Sequence, residues 1–165
     1  SQRGEGGVEA DTMSWTILLS IWARSSRSGH EHRAQNVFEQ MIETRSARPS
    51  AVTYTALLTM WSNSELPEAS SRVVDTFRHM TVQGVRLDTV GYSSLLSALG
   101  RSPDPDAPRR ANDVFEQMIN SGARPDAQCW TILISLWARS RLRDKEQQCQ
   151  TIFERMIDYP LQIAM

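Results

Sequence analysis

The tripeptide His30-Glu31-His32 brings two imidazoles and a carboxylate together, a donor set that zinc accepts. A metal centre needs further ligands in register with these, and no second His, Cys or acidic cluster recurs at the matching place. The tripeptide therefore reads as a solvated linker. Cys129 and Cys149 are too far apart for a CxxC pair and too few for a disulfide framework, which points to a reducing compartment. Cys129 reads as a small residue at a helix start, and Cys149 as part of a core. No glycine-rich phosphate loop or nucleophile elbow occurs. The expectation is a protein without catalysis, metal or cofactor. Five tryptophans offer faces on which bases could stack. Trp15 and Trp22 lie seven residues apart on one helical stripe, as do Trp130 and Trp137, and that spacing favours core packing.

A polar stripe runs opposite those tryptophans. Thr16, Ser20 and Arg24 fall at i, i+4 and i+8, so they share a helix face. The same types recur as Thr55, Thr59 and Asn63, as Ser93, Ser97 and Arg101, and as Thr131, Ser135 and Arg139. A merely solvated face would be polar without order, whereas recurrence in columns favours a groove. The net charge is −1, so any basic strip is local and the chain as a whole is no polyanion magnet. Hydrophobic residues make up 40% and charged residues 22%, the balance of a globular domain. No apolar run approaches the roughly 18–20 residues of a membrane span; the longest candidate, Trp15 to Ala23, is interrupted by Thr16 and Ser20.

These columns belong to a tandem repeat. One aromatic column is Trp15, Tyr54, Tyr92 and Trp130, and another is Phe38, Phe77, Phe115 and Phe153; both step by 39, 38 and 38 residues. Each repeat reads as two helices. Trp15, Leu18, Leu19 and Trp22 form an apolar stripe in the first, and Ala34, Val37, Phe38 and Met41 one in the second. Gly29, Pro67, Pro103, Pro105 and Pro108 mark the linkers between helices. Gly84 and Gly122 mark helix ends, and Pro49-Ser50, Leu87-Asp88 and Pro125-Asp126 precede new helices. Four repeats result, at 12–50, 51–88, 89–126 and 127–165, with 1–11 a polar, disordered lead-in. The last repeat degenerates at its end. Both aromatic columns are expected to be buried between helices.

Val52-Thr53-Tyr54-Thr55-Ala56-Leu57, together with Val114-Phe115-Glu116-Gln117-Met118 followed by Gly122-Ala123-Arg124-Pro125-Asp126, resembles the signature of the pentatricopeptide repeat (PPR) family. The Trp-x-x-Leu-Gly-x-x-Tyr element of tetratricopeptide repeats is absent. Three features depart from the PPR pattern: an inter-helix loop about three residues longer than the family's usual one, Thr or Ser after the aromatic instead of Asn, and the lost closing signature at Tyr159-Pro160. The resemblance implies an all-α, right-handed superhelical solenoid of four helix-turn-helix repeats that binds single-stranded RNA in a mitochondrion or chloroplast, without membrane insertion. Other subunits of a ribonucleoprotein assembly are further candidate partners.

By the same resemblance, Thr16, Thr55, Ser93 and Thr131 read bases, each with the last residue of its repeat: Ser50, Asp88 and Asp126, with the fourth partner lost around Ala164. Met13, Val52, Val90 and Gln128 would wedge between bases, and Arg24, Arg101 and Arg139 would meet phosphates. Thr or Ser paired with Asp goes with guanine in that family, so the implied core is purine-G-G, 5′ to 3′. The alternative is a non-catalytic scaffold subunit of a larger organellar assembly, such as a mitochondrial ribosome, gripping protein or structured RNA.

Overall fold

The computed structural model describes residues 8–45 and 47–159. Among them are eight α-helices and no strand: α1 (Thr12–Ala23), α2 (His30–Glu43), α3 (Ala51–Asn63), α4 (Ala69–Val82), α5 (Thr89–Gly100), α6 (Ala107–Asn120), α7 (Ala127–Ala138) and α8 (Lys145–Asp158). Each odd-numbered helix packs on the helix that follows it, giving four hairpins. The hairpins pair into two compact units, Ser1–Arg86 and Leu87–Met165. Within a unit, the first helix of one repeat also packs on the first helix of the next. Among the described residues no helix is long and apolar enough to cross a membrane. Residues 1–7 of the lead-in expected at 1–11, and the degenerate tail from Pro160, lie outside the described residues.

The helix starts follow the local chemistry. Asp11, Asp88 and Asp126 precede α1, α5 and α7 in extended conformation, and each carboxylate accepts a backbone N–H from the first helical turn. Asp11 therefore belongs to the first helix as its cap and not to the lead-in. Gly84 ends α4 with φ 71°, and its neighbour Val85 donates its N–H to the Met80 carbonyl at 3.2 Å. That is a left-handed cap in which glycine avoids the Cβ clash other residues would meet.

The linkers are shorter than the sequence suggested. The second helices begin four residues ahead of the Ala34 column, so His30 and His32 lie in the first turn of α2. The His30 Nδ1 contacts the Trp22 carbonyl at 3.1 Å, and His32 Nε2 pairs with Glu68 at 2.9 Å. Pro108, expected in a linker, sits in the first turn of α6, where its missing N–H has no intrahelical partner to lose.

Three contacts join consecutive repeats, and they recur in both units. The ring of Phe38 meets Tyr54 at 5.7 Å and that of Phe115 meets Trp130 at 4.5 Å. The Trp61 indole N–H donates to Gln35 at 3.0 Å, and the Trp137 indole donates to Asn112 at 3.1 Å. The hydroxyls of Thr16 and Thr53 are 3.2 Å apart, and Ser93 Oγ lies 3.4 Å from Cys129 Sγ. Trp15, Tyr54, Tyr92 and Trp130 are all buried, as expected. The phenylalanine column is not uniformly buried: Phe38 and Phe115 are, Phe77 is half-buried, and Phe153 is 47% exposed. The reason is positional. Phe38 and Phe115 have the opening aromatic of a following repeat to pack on, whereas α8 packs on α7 alone among the described residues. Trp61 and Trp137 are buried, while Trp22 is half-buried beneath the Arg33 guanidinium at 5.0 Å.

Phe115→Ala is expected to cost roughly 3–5 kcal/mol in urea denaturation, as for a large aromatic removed from a core. Phe153→Ala, at the same column, should cost under about 2 kcal/mol because its ring is already half in water. Equal losses would contradict the positional difference. Burial pushes the Tyr54 hydroxyl up to about 12, and it is hydrogen-bonded to His79 Nδ1 at 2.8 Å. Above pH 10 the unfolded chain releases this proton while the folded chain holds it. Folding stability should therefore fall as the pH rises from 10 to 12, by on the order of 2–3 kcal/mol. Denaturation curves of Tyr54→Phe across that range should lack this component.

Candidate nucleic-acid interface

Within each unit, one pair of the residues expected to read bases, Thr16 with Ser50 and Ser93 with Asp126, sits at the seam between the two first helices. In the first unit Thr16 is half-buried, and its hydroxyl donates to the Thr12 carbonyl at 2.7 Å. With that proton committed, Thr53 is the donor in the Thr16–Thr53 hydrogen bond. Thr53 is fully buried and also accepts the Ser50 backbone N–H at 3.2 Å. Its hydroxyl thus bridges Thr16 to Ser50, the two residues paired on sequence grounds. The second unit repeats this with different chemistry. Ser93 meets the Cys129 thiol, and the Cys129 N–H donates to Asp126 Oδ1 at 2.9 Å. Cys129 is fully buried and bridges Ser93 to Asp126. Burial raises its thiol above the ordinary range, so it stays protonated at neutral pH.

Thr53 and Cys129 are the residues that the sequence reading passed over. Cys129 was read only as a small residue, and Thr53 only as part of a family signature. Their column, with Ser14 and Gly91, held the signal: it lies one residue before the buried aromatics. A further omission is Asp11, which lies 39 residues before Ser50, continuing the column of Ser50, Asp88 and Asp126 backwards. The Ser14 hydroxyl and then the Ser14 N–H, both donating to Asp11, hold its carboxyl below the usual aspartate range.

The carboxylates have two roles available at once. Asp88 and Asp126 each use Oδ1 to cap a helix, Asp88 accepting from the Gly91 N–H at 2.9 Å, and both residues are exposed. The cap engages one oxygen and fixes the side chain, and a carboxylate has lone pairs to spare for a further donor. Thr55 is half-buried in the first unit, and Thr131 is exposed in the second, its hydroxyl donating to the Ala127 carbonyl at 2.9 Å. The wedge column is in the open: Met13 is 70% exposed, Val52 63% and Val90 61%, with Gln128 also exposed. Three solvated apolar side chains at helix starts serve no core.

Arg24, Arg101 and Arg139 are exposed and occupy the residue just past α1, α5 and α7, where a cation also complements the helix dipole. Arg139 is not wholly free. Its guanidinium donates to the Gly100 carbonyl at the end of α5, which leaves its other N–H groups for an anion. Among the described residues no group of His, Cys, Asp and Glu could hold a metal ion.

Thr53→Val keeps the side-chain shape but strands the Ser50 N–H and removes the donor to Thr16. It is expected to cost about 1–3 kcal/mol in chemical denaturation. A neutral result would mean that the buried bridge is not what holds the seam.

The chain aligns over 92% of its length with 74% of the crystal structure of the PPR domain of Arabidopsis thaliana protein-only RNase P 1 in complex with tRNA, with a TM-score of 0.72 and 19% identity. At that identity the likeness is one of fold. No curated protein sequence matches. The profile of the pentatricopeptide repeat domain matches residues 4–64 and 75–140, which is most of the chain. With the repeat period, the hairpins and the seam columns all in register, the chain belongs to the pentatricopeptide repeat family.

Proposed function

We propose that this chain binds single-stranded RNA without catalysing a reaction on it, reading bases at the seams between first helices and acting in organellar RNA metabolism or translation. The observation that carries the proposal is the buried bridge, which ties Thr16 to Ser50 through Thr53 and Ser93 to Asp126 through Cys129. It holds a hydroxyl and a cap residue together at the start of the next helix, and in the second unit that residue is a carboxylate. Beside them at the start of that helix stands an exposed side chain, apolar Val52 in the first unit and polar Gln128 in the second. Such a site offers base-edge hydrogen bonding beside a surface for a base face. Membership of the PPR family and the tRNA complex of the structural neighbour point to the same partner class.

The reading extends to base identity. Asp126 spends Oδ1 on its helix, so a guanine N–H can be accepted by the remaining lone pairs, whereas adenine presents the carboxylate no ring N–H. By the family pattern, Thr55 with Asp88 and Ser93 with Asp126 select guanine, and Thr16 with Ser50 a purine. Asparagine caps helices about as well as aspartate. Asp88→Asn with Asp126→Asn therefore keeps both caps while turning an outward acceptor into a donor.

Binding titrations against short RNA pools test this. The double variant should shift preference from guanine toward adenine, by about 1–3 kcal/mol per repeat as for other base-edge contacts. Replacing Arg24, Arg101 and Arg139 should weaken all sequences alike and flatten the salt dependence. If the double variant leaves base preference unchanged, or wild-type binding is blind to sequence, the scaffold role in a larger assembly takes over.

A further inference from the structure

A second column of arginines runs beside the cap residues. Arg48, Arg86 and Arg124 recur at steps of 38 residues, each two positions before Ser50, Asp88 or Asp126. All three are exposed. None of their guanidinium groups makes a hydrogen bond or an ion pair among the described residues, whereas Arg72, Arg78, Arg110 and Arg155 on the second helices each face a carboxylate.

The backbone sets where these arginines stand. Arg48 and Arg124 precede prolines, which pushes them toward extended conformation, and Ser50 and Asp126 are extended in turn. In the second unit the middle residue, Pro125, is buried while Arg124 and Asp126 are both exposed. An extended chain that buries its middle residue turns the two flanking side chains outward together, with their Cα atoms about 7 Å apart. In the first unit Arg48 is exposed beside half-buried Pro49 and Ser50. Asp126 is fixed by the Cys129 N–H at 2.9 Å and forms no ion pair among the described residues. Arg124 is therefore not spent on its neighbour. The two present a donor and an acceptor side by side at the seam that Cys129 ties to Ser93.

Guanine carries the complement of that pair. Its N1–H and N2–H donors suit a carboxylate. O6 and N7, further round the same ring plane, are the acceptors that an arginine takes bidentately. Adenine keeps N7 but puts an amino donor where guanine has O6, so a guanidinium meets a donor there. We propose that Arg124 donates to O6 and N7 of the guanine whose N–H groups Asp126 accepts, and that Arg86 does the same beside Asp88. At the first repeat Ser50 supplies no charge, and Arg48 keeps the contact to N7, the acceptor both purines share. These arginines set specificity, unlike Arg24, Arg101 and Arg139, which are assigned to phosphates. The inference rests on the RNA-binding reading above and adds a second base edge to it.

Binding titrations of the full chain against short RNAs with a purine-G-G core test it. The third base is replaced by 7-deazaguanine, which lacks the N7 acceptor and keeps N1–H, N2–H and O6. Wild-type binding should weaken roughly tenfold, the size of one lost bond to a charged donor. Arg124→Ala should bind the unmodified RNA more weakly and show no further loss with the modified base. The same modification at the second base should still weaken binding by Arg124→Ala, because Arg86 is intact. Hypoxanthine at the third base lacks only the N2 amino group and probes the carboxylate, so its penalty should survive in Arg124→Ala. Arg124 is exposed and unpaired, and circular dichroism should show the variant folded. A wild type that prefers guanine but ignores the loss of N7 overturns the inference and leaves the RNA reading standing. So does an Arg124→Ala chain that weakens all sequences alike and keeps the N7 penalty, the behaviour of a phosphate contact. A wild type blind to base identity overturns both.

Discussion

An aromatic side chain on the second helix of one repeat must find the aromatic that opens the next, and the other features of each unit are arranged around that contact. Phe38 on Tyr54 and Phe115 on Trp130 close the space between hairpins, and the indole bonds of Trp61 and Trp137 satisfy the polar atoms that closure buries. A single hairpin of two helices of 12–14 residues has too little apolar area to hold itself together. Within each unit a first helix packs both on its own second helix and on the neighbouring first helix, which explains why first helices carry apolar residues on more sides than second helices do. Phe153 shows the converse: the same residue type at the same spacing is 47% exposed where no further aromatic among the described residues meets it.

The seam beneath this contact puts demands on a few small residues. Thr53 and Cys129 must fit between two helices and still serve both the cap behind them and the hydroxyl in front of them. The Thr53 hydroxyl does so with one donor and two lone pairs, whereas at Cys129 the thiol meets Ser93 more weakly and the backbone N–H serves the cap. The cap column carries the second constraint. Asp88 and Asp126 start helices, and the bond that fixes each carboxylate also aims it. In the proposed reading, helix stability and RNA contact are coupled through one side chain, which restricts its identity to residues that can cap. Ser50 meets the first demand with a smaller and uncharged group.

The long inter-helix segments show how local chemistry overrides a count of residues. Eight positions separate Ser25 from Ala34, and the sequence suggests a loop. The backbone instead begins α2 at His30, so a histidine-containing tripeptide that looked like linker becomes a helix start, held by the Trp22 carbonyl and by Glu68. Pro108 behaves likewise, because proline interrupts a helix interior but fits a first turn.

Periodicity alone determined the number of repeats, the two-helix content of each and the burial of Trp15, Tyr54, Tyr92 and Trp130, because helical spacing and a fixed repeat length leave one arrangement that hides those rings from water. The family signature nominated Thr16, Ser50, Ser93 and Asp126. Only the tertiary structure decided that Thr53 and Cys129 bridge them, that Arg139 is partly spent on the Gly100 carbonyl, and that Phe153 is exposed although Phe115 is not. These facts depend on which helix lies alongside, and a side chain's partners in the next repeat come from residues 15 to 39 positions away that carry no local trace in its own segment.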